Sequence, residues 1–156
     1  MTMTEFNYRS PFSWLLITAS DKGITALSFQ NKKSAPTDKS QIVNVHLKNC
    51  VRQLDEYFSG KRTDFKLPLD TEGTKFQKKV WGALQKIPHG QTVSYQDIAR
   101  RIRSPKASRA VGGANNKNPV AIIVPCHRVI GKNGDLVGYA SGVNKKKWLL
   151  NHENAT

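Results

Sequence analysis

Apolar positions alternate or cluster in two short runs near the start of the chain, Trp14-Leu15-Leu16-Ile17-Thr18 and Ile24-Thr25-Ala26-Leu27-Ser28-Phe29. The turn formers Asp21-Lys22-Gly23 lie between them, which predicts a β-hairpin within a strand-rich stretch over residues 6–30. A polar segment from Asn31 to Lys39 reads as a mobile loop. The period then lengthens. Val43, Leu47, Cys50, Val51, Leu54, Tyr57 and Phe58 recur at helical spacing, so an amphipathic helix is predicted from Gln41 to Ser59, with Gly60 as its C′ residue. Cys50 falls in the middle of that apolar stripe and reads as core filler. The proline-limited run Asp64 to Asp70 is an extended linker.

Beyond the linker the pattern is mainly helical. Thr74 caps a helix whose apolar face is Phe76, Val80, Trp81, Leu84 and Ile87, and Pro88-His89-Gly90 stops it. Ser94-Tyr95-Gln96-Asp97 has the form of a capping box for a short helix facing inward through Tyr95, Ile98, Ala99 and Ile102. Ser104-Pro105 reads as an N-cap with proline at N1, opening a second helix through Lys106, Arg109 and Ala114. The two short helices form a helix-turn-helix, and the small residues Ala107, Ala110, Gly112, Gly113 and Ala114 let a partner backbone come close. Val120 to Val124 is then predicted as a strand, followed by a turn and a second strand that ends at Gly131-Lys132-Asn133-Gly134, where Asn-Gly favours a type I′ hairpin. A glycine-punctuated loop, Gly138 to Gly142, precedes a last helix with Trp148, Leu149 and Leu150 that closes near Glu153. The fold class is α/β (α+β): a strand-rich sub-domain with one long helix and its linker over residues 1–70, and a helical sub-domain with the helix-turn-helix and an active-site hairpin over 71–156.

The totals narrow the field. At 156 residues the chain is one small domain, or two sub-domains sharing a core. It shows no charged-then-apolar leader and no apolar run near the roughly 18 residues of a membrane span, so a soluble protein with no membrane partner is expected. Its two cysteines lack metal-ligand spacing, which points to neither a disulfide framework nor a metal site and suits a reducing cytoplasm. The formal net charge is +14, and Lys75 to Gly134 holds twelve basic residues against one acid, Asp97. A solvated face normally mixes its signs, so this half is expected to meet a polyanion, nucleic acid first among them.

Candidate chemistry sits in Ile122-Ile123-Val124-Pro125-Cys126-His127-Arg128-Val129-Ile130. Pro125 removes a ladder donor and ends a buried strand, so an exposed turn is expected there. Cys126 offers a soft nucleophile, His127 a base that titrates near neutrality, and Arg128 a positive charge that favours a nearby thiolate. The plain alternative is a buried cysteine acting as a small hydrophobe.

Several stretches together resemble one family. They are Leu67-Pro68-Leu69-Asp70, Gly73-Thr74-Lys75-Phe76-Gln77, Thr92-Val93-Ser94-Tyr95, Arg109-Ala110-Val111-Gly112, Asn118-Pro119, Pro125-Cys126-His127-Arg128-Val129, Gly138-Tyr139 and Leu149-Leu150. In that order they resemble the O6-alkylguanine-DNA alkyltransferases, also called methylated-DNA-protein-cysteine methyltransferases, over about two thirds of the chain. The resemblance implies that Cys126 accepts the alkyl group, that His127 acts on it through a water, and that Glu153 orients His127. It implies that Tyr95 donates toward N3 of the guanine as negative charge develops, help commonly worth a few kcal/mol. Arg109 is implied to enter the base stack in place of an extruded nucleotide, a job suited to a planar cation. Gln96, Ser104 and Lys132 match positions where relatives touch the DNA backbone. Asn118 matches a link between recognition helix and active-site turn, and Arg128 a residue that fixes the turn. Tyr139 and Ser141 fall in the pocket lining, where Ala140-Ser141-Gly142 depart from the glycines common in relatives and a methyl group is expected to fit. The implied partner is double-stranded DNA containing O6-alkylguanine, met by a monomer without cofactor or metal. The implied reaction is one displacement that leaves a thioether, so each molecule acts once. Two rivals stand beside it: a Cys-His-Glu hydrolase that turns over, and a non-enzymatic helix-turn-helix DNA-binding or damage-sensing module.

Overall fold

The computed structural model describes residues 4–30, 38–134, 136 and 139–154. The chain divides into two compact units, Met1–Glu72 and Gly73–Thr156.

In the first unit β1 (Thr4–Arg9), β2 (Trp14–Ala19) and β3 (Ile24–Gln30) form an antiparallel sheet in that order. Alternation puts Phe6 and Tyr8, then Leu15, Ile17 and Ala19, on the buried face, with Phe6 opposite Ile17 and Ile17 opposite Leu27. The helix α1 (Val45–Phe58) buries Leu47, Cys50, Val51, Leu54 and Tyr57. It begins later than the periodicity predicts, because the Asn44 side chain accepts from Leu47 N–H and caps it. Val43 consequently lies outside the helix and is 90% exposed, while Lys39–Gln41 forms a separate 3-10 turn. Most of the loop expected from Asn31 to Lys39 lies outside the described residues. At the C-terminus Gly60 takes φ +79 and closes the helix with Gly60 N–H to Tyr57 O and Lys61 N–H to Glu56 O. Burial pushes the Cys50 thiol up to about 12, so this cysteine is inert filler. Gln53 ties the extended linker to α1 by donating to Lys66 O and accepting from Lys66 N–H.

The second unit opens with α2 (Lys75–Leu84), held by a full capping box between Thr74 and Gln77. Trp81 from α2 donates its indole N–H to Ala114 O at 2.9 Å, which fixes α2 against α4 (Ser108–Asn116). β4 (Val93–Ser94) leads directly into α3 (Tyr95–Arg101), where Ser94 and Asp97 form the second capping box. At the end of α3, Ser104 N–H bonds Ala99 O and Arg103 N–H bonds Arg100 O, the paired bonds of a Schellman cap. Its left-handed position is normally glycine, but here it is Arg103 at φ +61, a choice that costs about 1 kcal/mol.

Three local expectations are corrected in this unit. Ser104 does not cap the second helix: its carbonyl accepts from Ala107 N–H, so Ser104 to Ala107 is a tight turn with Pro105 at its second position, and α4 begins at Ser108 without a side-chain cap. Val120 to Val124 is buried as expected but is not a strand. Ile122 has φ +72, and the Asn118 side chain accepts from Val120 N–H and donates to Val124 O, supplying partners that a neighbouring strand would otherwise provide. Nor do the described residues show the type I′ turn expected at Asn133-Gly134, and the residues that would return from it lie mostly outside them. β5 (Val129–Ile130) pairs in parallel with β4, and Lys132–Gly134 is a 3-10 turn with Gly134 at φ +80. The last helix, α5 (Val143–His152), ends at Glu153.

Candidate active site

Pro125 is followed by a single 3-10 turn, Cys126–Arg128, packed between α2, α5 and the Asn118 loop. The turn was expected to be exposed and is instead buried: Cys126 and Arg128 are each 6% accessible and His127 is 0%. Burial is possible because every charged group in it finds a partner. His127 Nε2 lies 2.9 Å from Glu153 Oε2. Arg128 grips the same carboxylate through Nε at 2.8 Å and Nη2 at 2.9 Å, and its Nη1 donates to Ile87 O at 2.7 Å. Arg128 therefore serves Glu153 and the turn that follows α2 rather than the thiol.

These contacts set the protonation states. Burial raises the Glu153 carboxyl, but the hydrogen bonds and charges of His127 and Arg128 outweigh it and hold the group well below the usual carboxylate range. An ionised Glu153 can only accept, so Nε2 carries the imidazole proton and Nδ1 is the basic nitrogen. Burial, aided by Arg128 and Lys146, keeps His127 below its ordinary value against the pull of Glu153, so the ring is neutral at rest. Its Nδ1 has no protein partner among the described residues.

The thiol of Cys126 is pushed up by burial, and four influences oppose that: the Asn118 side chain first, then the charge of Lys146, the Tyr139 hydroxyl and the backbone of Cys126 itself. Lys146 was not singled out by sequence reasoning. It is fully buried, donates from Nζ to Val129 O at 2.5 Å, and is lowered to about 8 by burial. The signal was present, since Lys146 shares one face of α5 with Leu149 and Leu150 at helical spacing. Asn115 was also missed; it is 2% accessible and its amide donates to Cys126 O at 3.4 Å.

Tyr95 opens α3 and is half-buried, with its ring 3.8 Å from where a Cβ on Gly112 would stand. A larger residue at 112 would press on that ring. Burial first, and then the field of Cys126, raises the Tyr95 phenol, so it remains a proton donor at neutrality. The structure thus gathers Cys126, His127, Arg128, Glu153, Asn118 and Tyr139, with Tyr95 electrically coupled to the thiol.

The remaining predicted site residues lie on the helix pair and on surface turns. Arg109 is exposed in the first turn of α4 and makes no ion pair within the described residues. Gln96 has its amide engaged internally, donating to Pro105 O at 2.8 Å and accepting from Ser108 Oγ at 2.6 Å, so it braces the turn that presents α4. Ser104 is partly buried in that turn, Lys132 is exposed, and Ser141 is partly exposed. Gly138 lies outside the described residues. Among the described residues no helix is long and apolar enough to cross a membrane, and no group of three or more His, Cys, Asp or Glu is placed to hold a metal ion.

A thiol with its own base and carboxylate, carried by the same compact unit as a basic helix-turn-helix, defines a class: DNA-binding proteins that use a cysteine as the reacting group. Comparison with known proteins agrees. Residues 75–155 match the family described as "6-O-methylguanine DNA methyltransferase, DNA binding domain", and residues 4–71 its "ribonuclease-like domain". A methylated-DNA–protein-cysteine methyltransferase of Methanosarcina acetivorans is 47% identical over 150 residues, covering 95% of this chain and 96% of the relative. The crystal structure of the Mycobacterium tuberculosis O6-methylguanine methyltransferase superposes with a TM-score of 0.85 at 41% identity, covering 99% and 94% of the two chains. That of Mycobacterium tuberculosis OGT in complex with DNA gives 0.84 at 42%, covering 96% and 91%. The chain belongs to the methylated-DNA–protein-cysteine methyltransferase family.

Proposed function

We propose that the protein repairs DNA by moving the alkyl group of O6-alkylguanine in duplex DNA onto Cys126, once per molecule. The observation that carries this reading is the His127–Glu153 contact at the buried cysteine turn, because it leaves a neutral base with a free Nδ1 beside a thiol that is protonated at rest. In the proposed reaction His127 Nδ1 takes the thiol proton through a water, and Glu153 stabilises the imidazolium that forms. The Cys126 sulfur then attacks the O6-alkyl carbon. The S–C bond forms as the C–O bond breaks, and the electron pair leaves with guanine. Tyr95 donates toward guanine N3 while that charge develops. The proton lost by the thiol balances the one the departing guanine requires, so the products are neutral guanine and a thioether. A thioether is a poor leaving group, so nothing restores the thiol.

The O6 position lies inside the duplex stack and must be turned out to reach a buried sulfur, at a cost of a few kcal/mol. In this reading Arg109 fills the vacated stack. A cation in the first turn of a helix opposes the helix dipole, so its presence on α4 argues for a role outside the fold. Lys132 and the Ser104 turn are assigned to the DNA backbone, Tyr139 and Ser141 to the alkyl pocket, and Asn118 to holding the thiol loop against α4. Residues 1–70 and 71–156 are the two functional parts. A monomer working in the reducing cytoplasm completes the reading, supported by two free cysteines, one of which must stay reduced.

The test is incubation with duplex DNA carrying labelled O6-methylguanine. Label is expected on Cys126, at no more than one equivalent per protein, and absent in Cys126→Ala. Continued turnover would establish a hydrolase instead, and binding without transfer a damage-sensing module.

A further inference from the structure

We propose that the cleft between α2 and the end of α3 is a second phosphate-binding site, which holds the DNA backbone beyond the stretch met by α4. The cleft has a volume of about 630 Å³ and is walled by Lys78 and Lys79 of α2, Lys86 just past it, and Arg101 and Arg103 at the end of α3. Its floor is the small or apolar Gly82, Ala83 and Ile102. No carboxylate lines it, and none of the five cations makes an ion pair among the described residues. Asp97, the one acid between Lys75 and Gly134, is outside the lining; it sits 4.0 Å from Arg100 and feels Arg101 only through space. Five like charges around one concavity repel each other, and a polyanion relieves that repulsion.

Arg103 supplies an independent argument. It occupies the left-handed position of the α3 cap, with both Schellman bonds made, where glycine fits without penalty. The fold gains nothing from a side chain there, and the guanidinium it carries lines the cleft. No aromatic ring lines the cleft, so it lacks the stacking platform that unpaired bases need and suits a sugar-phosphate backbone. Arg103 also leads directly into the Ser104–Ala107 turn and α4, so the cleft adjoins along the chain the turn that presents the helix carrying Arg109. None of the five belongs to the thiol cluster or to α4.

This rests on DNA being the partner, and the test separates the two claims. Binding is measured against salt for a short duplex of about 8 base pairs, covering little more than the α4 site, and a long one of about 24. Each lost phosphate contact should lower the slope of log K against log salt by about 0.9. For Lys78→Gln/Lys86→Gln/Arg103→Gly the slope on the long duplex is expected to fall by about 2 or more, with no change on the short one. Arg103→Gly alone should melt no lower than the parent yet bind the long duplex about threefold more weakly at low salt. An unchanged slope on the long duplex would overturn the proposal. So would an equal loss on both lengths, which marks general charge, or a length dependence abolished by millimolar inorganic phosphate, which marks a free-anion pocket. If methyl transfer from the short duplex persists in any of these cases, only the cleft fails. If the parent neither binds nor repairs either duplex, the functional reading fails with it.

Discussion

His127 and Glu153, 26 positions apart, meet at 2.9 Å with both side chains sealed from solvent, and that contact decides which imidazole nitrogen is the base. Because Arg128 grips both oxygens of the same carboxylate, sharing Oε2 with His127, Glu153 stays ionised without needing a protonated His127. The carboxylate can therefore fix the tautomer of a neutral ring and still stabilise the cation when a proton arrives.

Glu153→Gln keeps the size and removes the charge. Gln can still accept from Nε2, but it offers no counter-charge to imidazolium, so single-turnover transfer should fall by about a hundredfold or more. It also leaves Arg128 as a buried cation without its partner, which should cost about 3 kcal/mol of stability. Methyl transfer from a free alkylguanine base and a denaturant melt read the two effects separately. A normal rate would remove Glu153 from the mechanism.

The same pair predicts acid lability. Glu153 is depressed in the folded protein, so its contribution is complete above the unfolded carboxylate value of about 4.3 and is lost as pH falls below it. His127 is also depressed, so the folded state binds fewer protons there too, and its contribution is lost as pH falls through and below about 6.5. Both slopes have one sign. Unfolding free energy should decline in two stages, gently from about pH 6.5 and more steeply below about pH 4.5. His127→Gln should shrink the first stage to the part owed to His89, which burial also holds below its ordinary value.

Lys146 sets stability against reactivity. Holding its value near 8 instead of 10.5 costs about 3 kcal/mol at neutral pH, while its charge opposes the upward shift of the Cys126 thiol. Lys146→Met relieves that cost, though it strips Val129 O of a donor at a penalty of about 1–2 kcal/mol. Tm should stay level or rise by a few degrees. Transfer at pH 7 should slow by about tenfold and recover as pH is raised, because the thiol now needs more base to ionise. A Tm well below the parent, or a rate that pH does not restore, would show that Lys146 acts only as packing.

The elements legible in the sequence were those with local causes. The capping boxes at Thr74 and Ser94 and the apolar stripe of α1 from Leu47 onward each depend on residues within one or two helical turns and form where those residues stand, while Val43 falls outside the helix that Asn44 caps. What the sequence hid depends on distant partners. The run Val120 to Val124 is apolar enough for a strand, yet Asn118 satisfies its backbone and lets it coil. The Ser104-Pro105 pair has the composition of a helix start, but Ser104 N–H is already committed to Ala99 O in the preceding cap. At the site, Cys126 and His127 stand out as adjacent reactive residues, and Glu153 was reached only through family resemblance, because no local pattern distinguishes a terminal glutamate that will be buried. Lys146 escaped notice because a lysine on an apolar face ordinarily reaches out to solvent, and only the structure shows its Nζ turned to Val129 O.

Arg109 gives the sharpest separation between DNA handling and chemistry. It stands exposed in the first turn of α4, makes no ion pair among the described residues, and is absent from the thiol cluster. Its removal should therefore leave the fold and the proposed Cys126–His127–Glu153 relay unchanged. Extrusion of the alkylated base costs a few kcal/mol, and a side chain that fills the gap returns part of that cost. Arg109→Ala should slow repair of duplex O6-methylguanine by about tenfold to a hundredfold, the effect of losing 1.4–2.8 kcal/mol. Reaction with the free alkylated base needs no extrusion and should keep its rate within about twofold. Arg109→Lys restores the charge without the planar group and should recover binding more than repair. Equal losses on duplex and free base would show that Arg109 supports the fold or the thiol, and full recovery by lysine would reduce its role to a phosphate contact.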